Sequence, residues 1–108
     1  MNTSYSIMKM VIKMKFGLSD EIYIKIKNIA NKYNKYNFLI FGSRARGDYK
    51  EYSDIDICIT EEVDQKRRYK IMDDVDKIMT HHKIDLIFIQ DVKNEEFIKN
   101  IDRDKKEI

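Results

Sequence analysis

The sequence predicts an α/β fold: a small mixed β-sheet of three or more strands, covered by helices. Three observations predict it. Short apolar runs recur at 38–41, 54–59 and 84–89, each of strand length. The stretches between and around them carry helical spacing and capping residues, and strands alternating with helices build a sheet under helical cover. The chain is 108 residues with 43% hydrophobic content, which suits one domain around one core. Residues 1–15 show no clean period and are expected to be a variable leader, with the domain spanning 16–108.

The elements follow in order. Ser19 is a plausible N-cap, and Asp20 and Glu21 lie in the first turn, where the helix dipole favours acids. Ile22, Ile26, Ile29, Ala30 and Tyr33 then fall on one helical face. Asn34 to Asn37 read as the exit, and Phe38-Leu39-Ile40-Phe41 as a buried strand. Ser43 to Ala45 open a short helical turn that Gly47 stops, and 48–53 is a polar loop. Asp54 to Ile59 alternates with period two, the signature of a strand. Glu61 to Thr80 is read as a helix with Tyr69, Met72, Val75 and Met79 inward. Ile84 to Ile89 is a third strand, and Asn94 starts a last helix with Phe97, Ile98 and Ile101 on one side.

Composition excludes several classes. Lys and Arg number 21 against 19 Asp and Glu, so no one-signed basic face for nucleic acid is expected. A single cysteine rules out an internal disulfide framework and a Cys-rich zinc site. No apolar run approaches the ~20 residues of a membrane helix. A cytoplasmic protein is expected.

The chemistry gathers in two places. Asp54 and Asp56 are two apart in a strand and therefore share a face. Paired carboxylates repel, and a cation between them relieves the repulsion. Hard oxygen ligands on a rigid strand suit Mg²⁺, although an Asp-x-Asp alone also fits a solvated strand face. Asp85, set in another apolar run, strengthens the metal reading, because an acid there is costly unless paired or metal-bound. If the two strands are neighbours, three carboxylates converge, the ligand set of a two-metal site. The second place is Gly42-Ser43, directly after a buried strand. Glycine lets a ligand approach the backbone, and the next N–H groups with the Ser43 hydroxyl offer an anion site. Arg44 and Arg46 add guanidinium donors suited to phosphate. Other candidates read as structural. Cys58 falls on the Asp face as a packing residue, His81-His82 as a loop, Arg67-Arg68 as a solvated face, and Tyr49 and Tyr52 as loop residues able to stack on a base.

Gly42-Ser43, ten intervening residues, Asp54-x-Asp56 and a later strand aspartate, Asp85, together resemble the nucleotidyltransferase superfamily of DNA polymerase beta and kanamycin nucleotidyltransferase. The fuller stretch Phe41-Gly-Ser-Arg-Ala-Arg-Gly47, then Ser53-Asp-Ile-Asp-Ile57, is similar to the minimal nucleotidyltransferases (MNT), antitoxins encoded beside HEPN ribonuclease toxins. The resemblance implies a polymerase beta-like fold. It implies that Gly42 and Ser43 hold a triphosphate tail, that Asp54 and Asp56 bind metal, and that Asp85 binds the catalytic metal and helps activate a hydroxyl. It further implies two Mg²⁺ ions, ATP as substrate, and transfer of AMP to a tyrosine of a HEPN toxin partner, in a hetero-oligomer without membrane or direct nucleic-acid contacts. Two other functions share these features: an antitoxin that neutralises by binding alone, and a transferase acting on a small-molecule hydroxyl. Few residues follow Asp85, so the acceptor is expected to bring its own binding surface.

Overall fold

The computed structural model describes residues 15–108; all but Lys15 of the expected leader at 1–15 lies outside the described residues. A 3-10 turn, Lys15–Gly17, leads into α1, Asp20–Lys32. Then come β1, Phe38–Phe41, α2, Gly42–Arg46, and β2, Ile55–Ile59. α3, Gln65–Asp76, crosses to β3, Ile84–Phe88; after a 3-10 turn at Ile89–Asp91, α4, Glu95–Asp104, and β4, Lys106–Glu107, complete the chain. The helix starts are capped by side chains. Ser19 Oγ accepts from the Ile22 N–H at 3.3 Å, and Asn94 Oδ1 from the Phe97 N–H at 3.0 Å, as expected of residues that satisfy an open helix end.

The four strands form one mixed sheet in the order β3-β2-β1-β4. β1 runs antiparallel to β2 and to β4, whereas β2 and β3 are parallel, with α3 as their crossover. One face packs Ile55, Ile57 and Ile59 against Ile26, Ile71 and Val75 from α1 and α3. The other face packs Cys58 with Phe41 and with Ile101 of α4. The expected α/β class and helical cover are therefore present.

Three expectations need correction. The helix expected over 61–80 covers only Gln65–Asp76, because Asp64 caps it: its Oδ1 accepts from the Arg67 N–H at 3.0 Å. Its inward face is not Tyr69, Met72 and Met79, which are exposed, but Ile71 and Val75, with Ile78 packed beyond them. That set repeats at i, i+4 and i+7, the same helical period one step round. The strands are also shorter than read: Asp54 precedes β2, and Ile89 has already turned into the 3-10 segment.

Candidate active site

The site forms at one end of the sheet, on the face that packs against α4. Parity along β2 puts Asp56 and Cys58 on the same face. Cys58 lies under α4 and is fully buried, and burial pushes its thiol up to about 11, so it is a packing residue. Asp56, one pleat nearer the strand start, is half-buried at the open end of the same face.

Strand register brings the acids together. Asp56 pairs with Asp85 across the parallel β2–β3 ladder, and with Phe41 across β1. Asp54 enters just before the strand, on the same face. Carboxylate oxygens of Asp54, Asp56 and Asp85 all lie within 4.8 Å of one another. Three carboxylates this close repel, and burial, Asp85 and Asp54 all raise the pKa of Asp56, while the nearby Arg46 opposes them. Lys83 Nζ, 3.4 Å from Asp85 Oδ1, gives partial relief at the rim. Hard oxygen donors, mutual repulsion and partial exposure fit a divalent cation such as Mg²⁺.

Gly42 adjoins this cluster. Its φ of +71° lies in the left-handed region, and a Cβ there would run into the Asp56 carboxylate. The glycine thus lets the Gly-Ser turn and the central acid occupy the same corner. Ser43 follows in the first turn of α2. Gly47 ends that helix in the left-handed conformation, and its N–H donates to the Ser43 carbonyl at 2.8 Å.

The two arginines part company. Arg46 is partly exposed, with Nη1 2.8 Å from Asp104 Oδ2 and Nε 3.1 Å from Asp48 Oδ2. Arg44 does not face the acids as a free phosphate donor. It is 2% exposed, and its guanidinium is spent on the carbonyls of Phe16, Gly17, Glu51 and Ser53. The side chain points back into the domain, where no phosphate could reach it without dismantling those bonds. Tyr49 stacks on this guanidinium, with 5.1 Å from Cζ to the ring centroid, while Tyr52 is exposed.

Sequence reasoning missed two neighbours. Asp104, buried on α4, is held to about 2 by hydrogen bonds first from Arg103 and then from Arg46. It ties α2 to α4 across 58 positions of sequence, a separation no local pattern reveals. His82 stands with Nδ1 3.3 Å from Arg44 Nη2, and burial, then the Arg44 charge, lowers its pKa. It is a loop histidine, as read, but a loop histidine with a partner.

An acidic triad at the start of β2 and on the adjacent β3 thus stands beside the glycine–serine turn that leaves β1. The sequence profile of the family described as "Polymerase beta, Nucleotidyltransferase" matches residues 24–108, and the chain belongs to that family. No protein of curated function matches the chain in sequence. Among solved structures, it is similar to a mutant of the toxin–antitoxin MntA-HpeT, at 19% identity and a TM-score of 0.58, over 80% of this chain and 70% of that one. It is also similar to a toxin–antitoxin with AMP-PNP, at 20% identity and a TM-score of 0.59, over 82% of this chain and 71% of that one. At these identities the likeness is one of fold.

Proposed function

We propose that this chain is an Mg²⁺-dependent antitoxin of the MNT type, moving AMP from ATP to a tyrosine hydroxyl of a HEPN ribonuclease toxin in the cytoplasm. The observation that carries the chemistry is the convergence of Asp54, Asp56 and Asp85 against Gly42. What supports the toxin partner is the fold shared with toxin–antitoxin structures, one of them with AMP-PNP, together with the Phe41–Ile57 motif. Among the described residues, no helix is long and apolar enough to cross a membrane.

In this reading Asp54, Asp56 and Asp85 hold the metal, which when bound neutralises phosphate charge as a Lewis acid. Gly42 and Ser43 receive the triphosphate tail, and Asp85 takes the proton of the attacking hydroxyl. The tyrosine oxygen forms a bond to the α-phosphorus as the bond to the bridging oxygen breaks, and pyrophosphate leaves. Arg46, beside the triad, adds positive charge where the leaving group builds negative charge. The rest of the protein's work is positioning.

The test is incubation with the cognate HEPN protein, labelled ATP and Mg²⁺. Label on the partner, abolished in Asp54→Ala/Asp56→Ala, is the expected result. Absence of label from the wild-type reaction refutes the transfer. Neutralisation that survives removal of all three acids would instead make this an antitoxin by binding alone.

A further inference from the structure

Arg44 is a buried cation of an uncommon kind. Among the described residues no carboxylate forms an ion pair with it; its partners are backbone carbonyls and one imidazole. Nε reaches the Ser53 carbonyl at 3.2 Å and Nη2 reaches the same oxygen at 3.0 Å. Nη1 reaches Phe16 and Gly17 at 3.1 and 3.3 Å, and Nη2 also reaches Glu51 at 3.4 Å and His82 Nδ1 at 3.3 Å. Burying a charge among neutral acceptors is an expensive way to fill space. What an arginine adds there is direction: a rigid planar fork of N–H groups that holds several oxygens at fixed angles.

The oxygens held are significant by position. Ser53 takes two of the bonds and is joined by one peptide to Asp54. His82 is next to Lys83, whose carbonyl accepts from the Ile55 N–H at 2.8 Å and so closes the β2–β3 ladder two residues before Asp85. Arg44 itself is one residue from Ser43. We propose that Arg44 is a positioning residue for the acidic triad: its guanidinium fixes the Ser53 carbonyl, and with it Asp54, against the Gly42-Ser43 turn. The strand register already sets Asp56 and Asp85. Asp54 lies outside the strand and has no such ladder to hold it, so its place depends on the loop that Arg44 clamps. Tyr49, stacked on the guanidinium, belongs to the same loop.

This inference rests on the triad being a metal site, so the experiment reads metal binding directly. Mn²⁺ is titrated into the full chain and free ion is followed by electron paramagnetic resonance, with thermal melts alongside. Arg44→Lys keeps the charge and loses the fork, and is expected to weaken Mn²⁺ binding about tenfold, in the range seen when the supports of metal ligands are removed. Val75→Ala, a core truncation beneath α3, serves as the destabilised control and is expected to leave Mn²⁺ affinity unchanged. Tyr49→Ala, a milder lesion of the same loop, is expected to weaken binding in the same direction, and it decides the matter if Arg44→Lys does not fold. A folded Arg44→Lys that binds Mn²⁺ like wild type overturns the inference, as does an unaffected Tyr49→Ala where Arg44→Lys is unfolded. Equal weakening in Val75→Ala also overturns it, since the effect would then be one of general stability. A wild-type chain that binds no Mn²⁺ overturns the metal reading itself, an outcome distinct from the others.

Discussion

Replacing Gly42 by alanine should damage the site far more than the fold, and the structure supplies its own control. Gly42 sits at φ +71° and Gly47 at φ +96°, so alanine at either position pays for a left-handed backbone. That strain is about 1–2 kcal/mol per residue, or roughly 4–16 °C of melting temperature for a domain of this size. The two positions differ in their surroundings. A Cβ at Gly47 meets nothing within 4 Å, whereas a Cβ at Gly42 lands on the Asp56 carboxylate, on the rigid strand that also aligns Asp85. The carboxylate must move away, and a misplacement of about 1 Å at a reacting centre costs on the order of 100-fold in rate. Both variants would be melted by circular dichroism and assayed for transfer of labelled AMP. The expected outcome is similar melting temperatures, near wild-type transfer in Gly47→Ala, and a loss of about two orders of magnitude in Gly42→Ala. Equal activity in the two variants would refute the argument that Asp56 is the reason for the glycine.

Four further outcomes are expected. Mg²⁺ at about 100 times its dissociation constant should stabilise the wild type by about 2.7 kcal/mol, and Asp54→Ala/Asp56→Ala should melt at the same temperature with or without it. Asp56 has a raised pKa, so its contribution to metal-free stability is full below the unfolded carboxylate range and is lost as pH rises through the raised value. Asp56→Asn should therefore be more stable than wild type at pH 7 without metal, as urea titration would show, while transferring nothing. Asp104 works in the opposite sense: held to about 2, it contributes stability above the unfolded value of 3.8 that disappears as pH falls toward 2, and Asp104→Asn should flatten that acid limb. On α3, Ile71→Ala should cost about 2–5 kcal/mol, while Tyr69→Ala and Met72→Ala stay within about 0.5 kcal/mol by chemical denaturation.

That last comparison shows where the sequence was readable and where it was not. The strands were legible because β2 alternates and β1 is continuously apolar, and both patterns follow from which faces are covered. The caps at Ser19 and Asn94 were legible because a helix start needs a local acceptor. The inward face of α3 was not, because two stripes compete on it. Tyr69, Met72 and Met79 looked apolar enough to be buried, yet Ile71, Val75 and Ile78 are the set that meets β2. The acidic cluster was legible in part, since Asp54-x-Asp56 fixes a shared face, but the adjacency of Asp85 needed the strand order. Arg44 was misjudged for a related reason. Its neighbours in sequence suggested phosphate, while its partners come from residues 16–17 and 51–53, whose approach only the folded chain reveals. β4, two residues long, leaves no periodic trace at all.

The direct pairing of Asp56 with Asp85 has an evolutionary consequence. Their separation is dictated by the distance between neighbouring strands, about 4.8 Å in any sheet, and not by the length of the connection between them. The outer face of α3 is then free to change, provided Ile71 and Val75 still pack inward and the chain re-enters β3 in step. A protein surface can be rewritten there to suit a new binding partner while the acids stay where they were. The exposed Tyr69 and Met72 lie on that rewritable stretch.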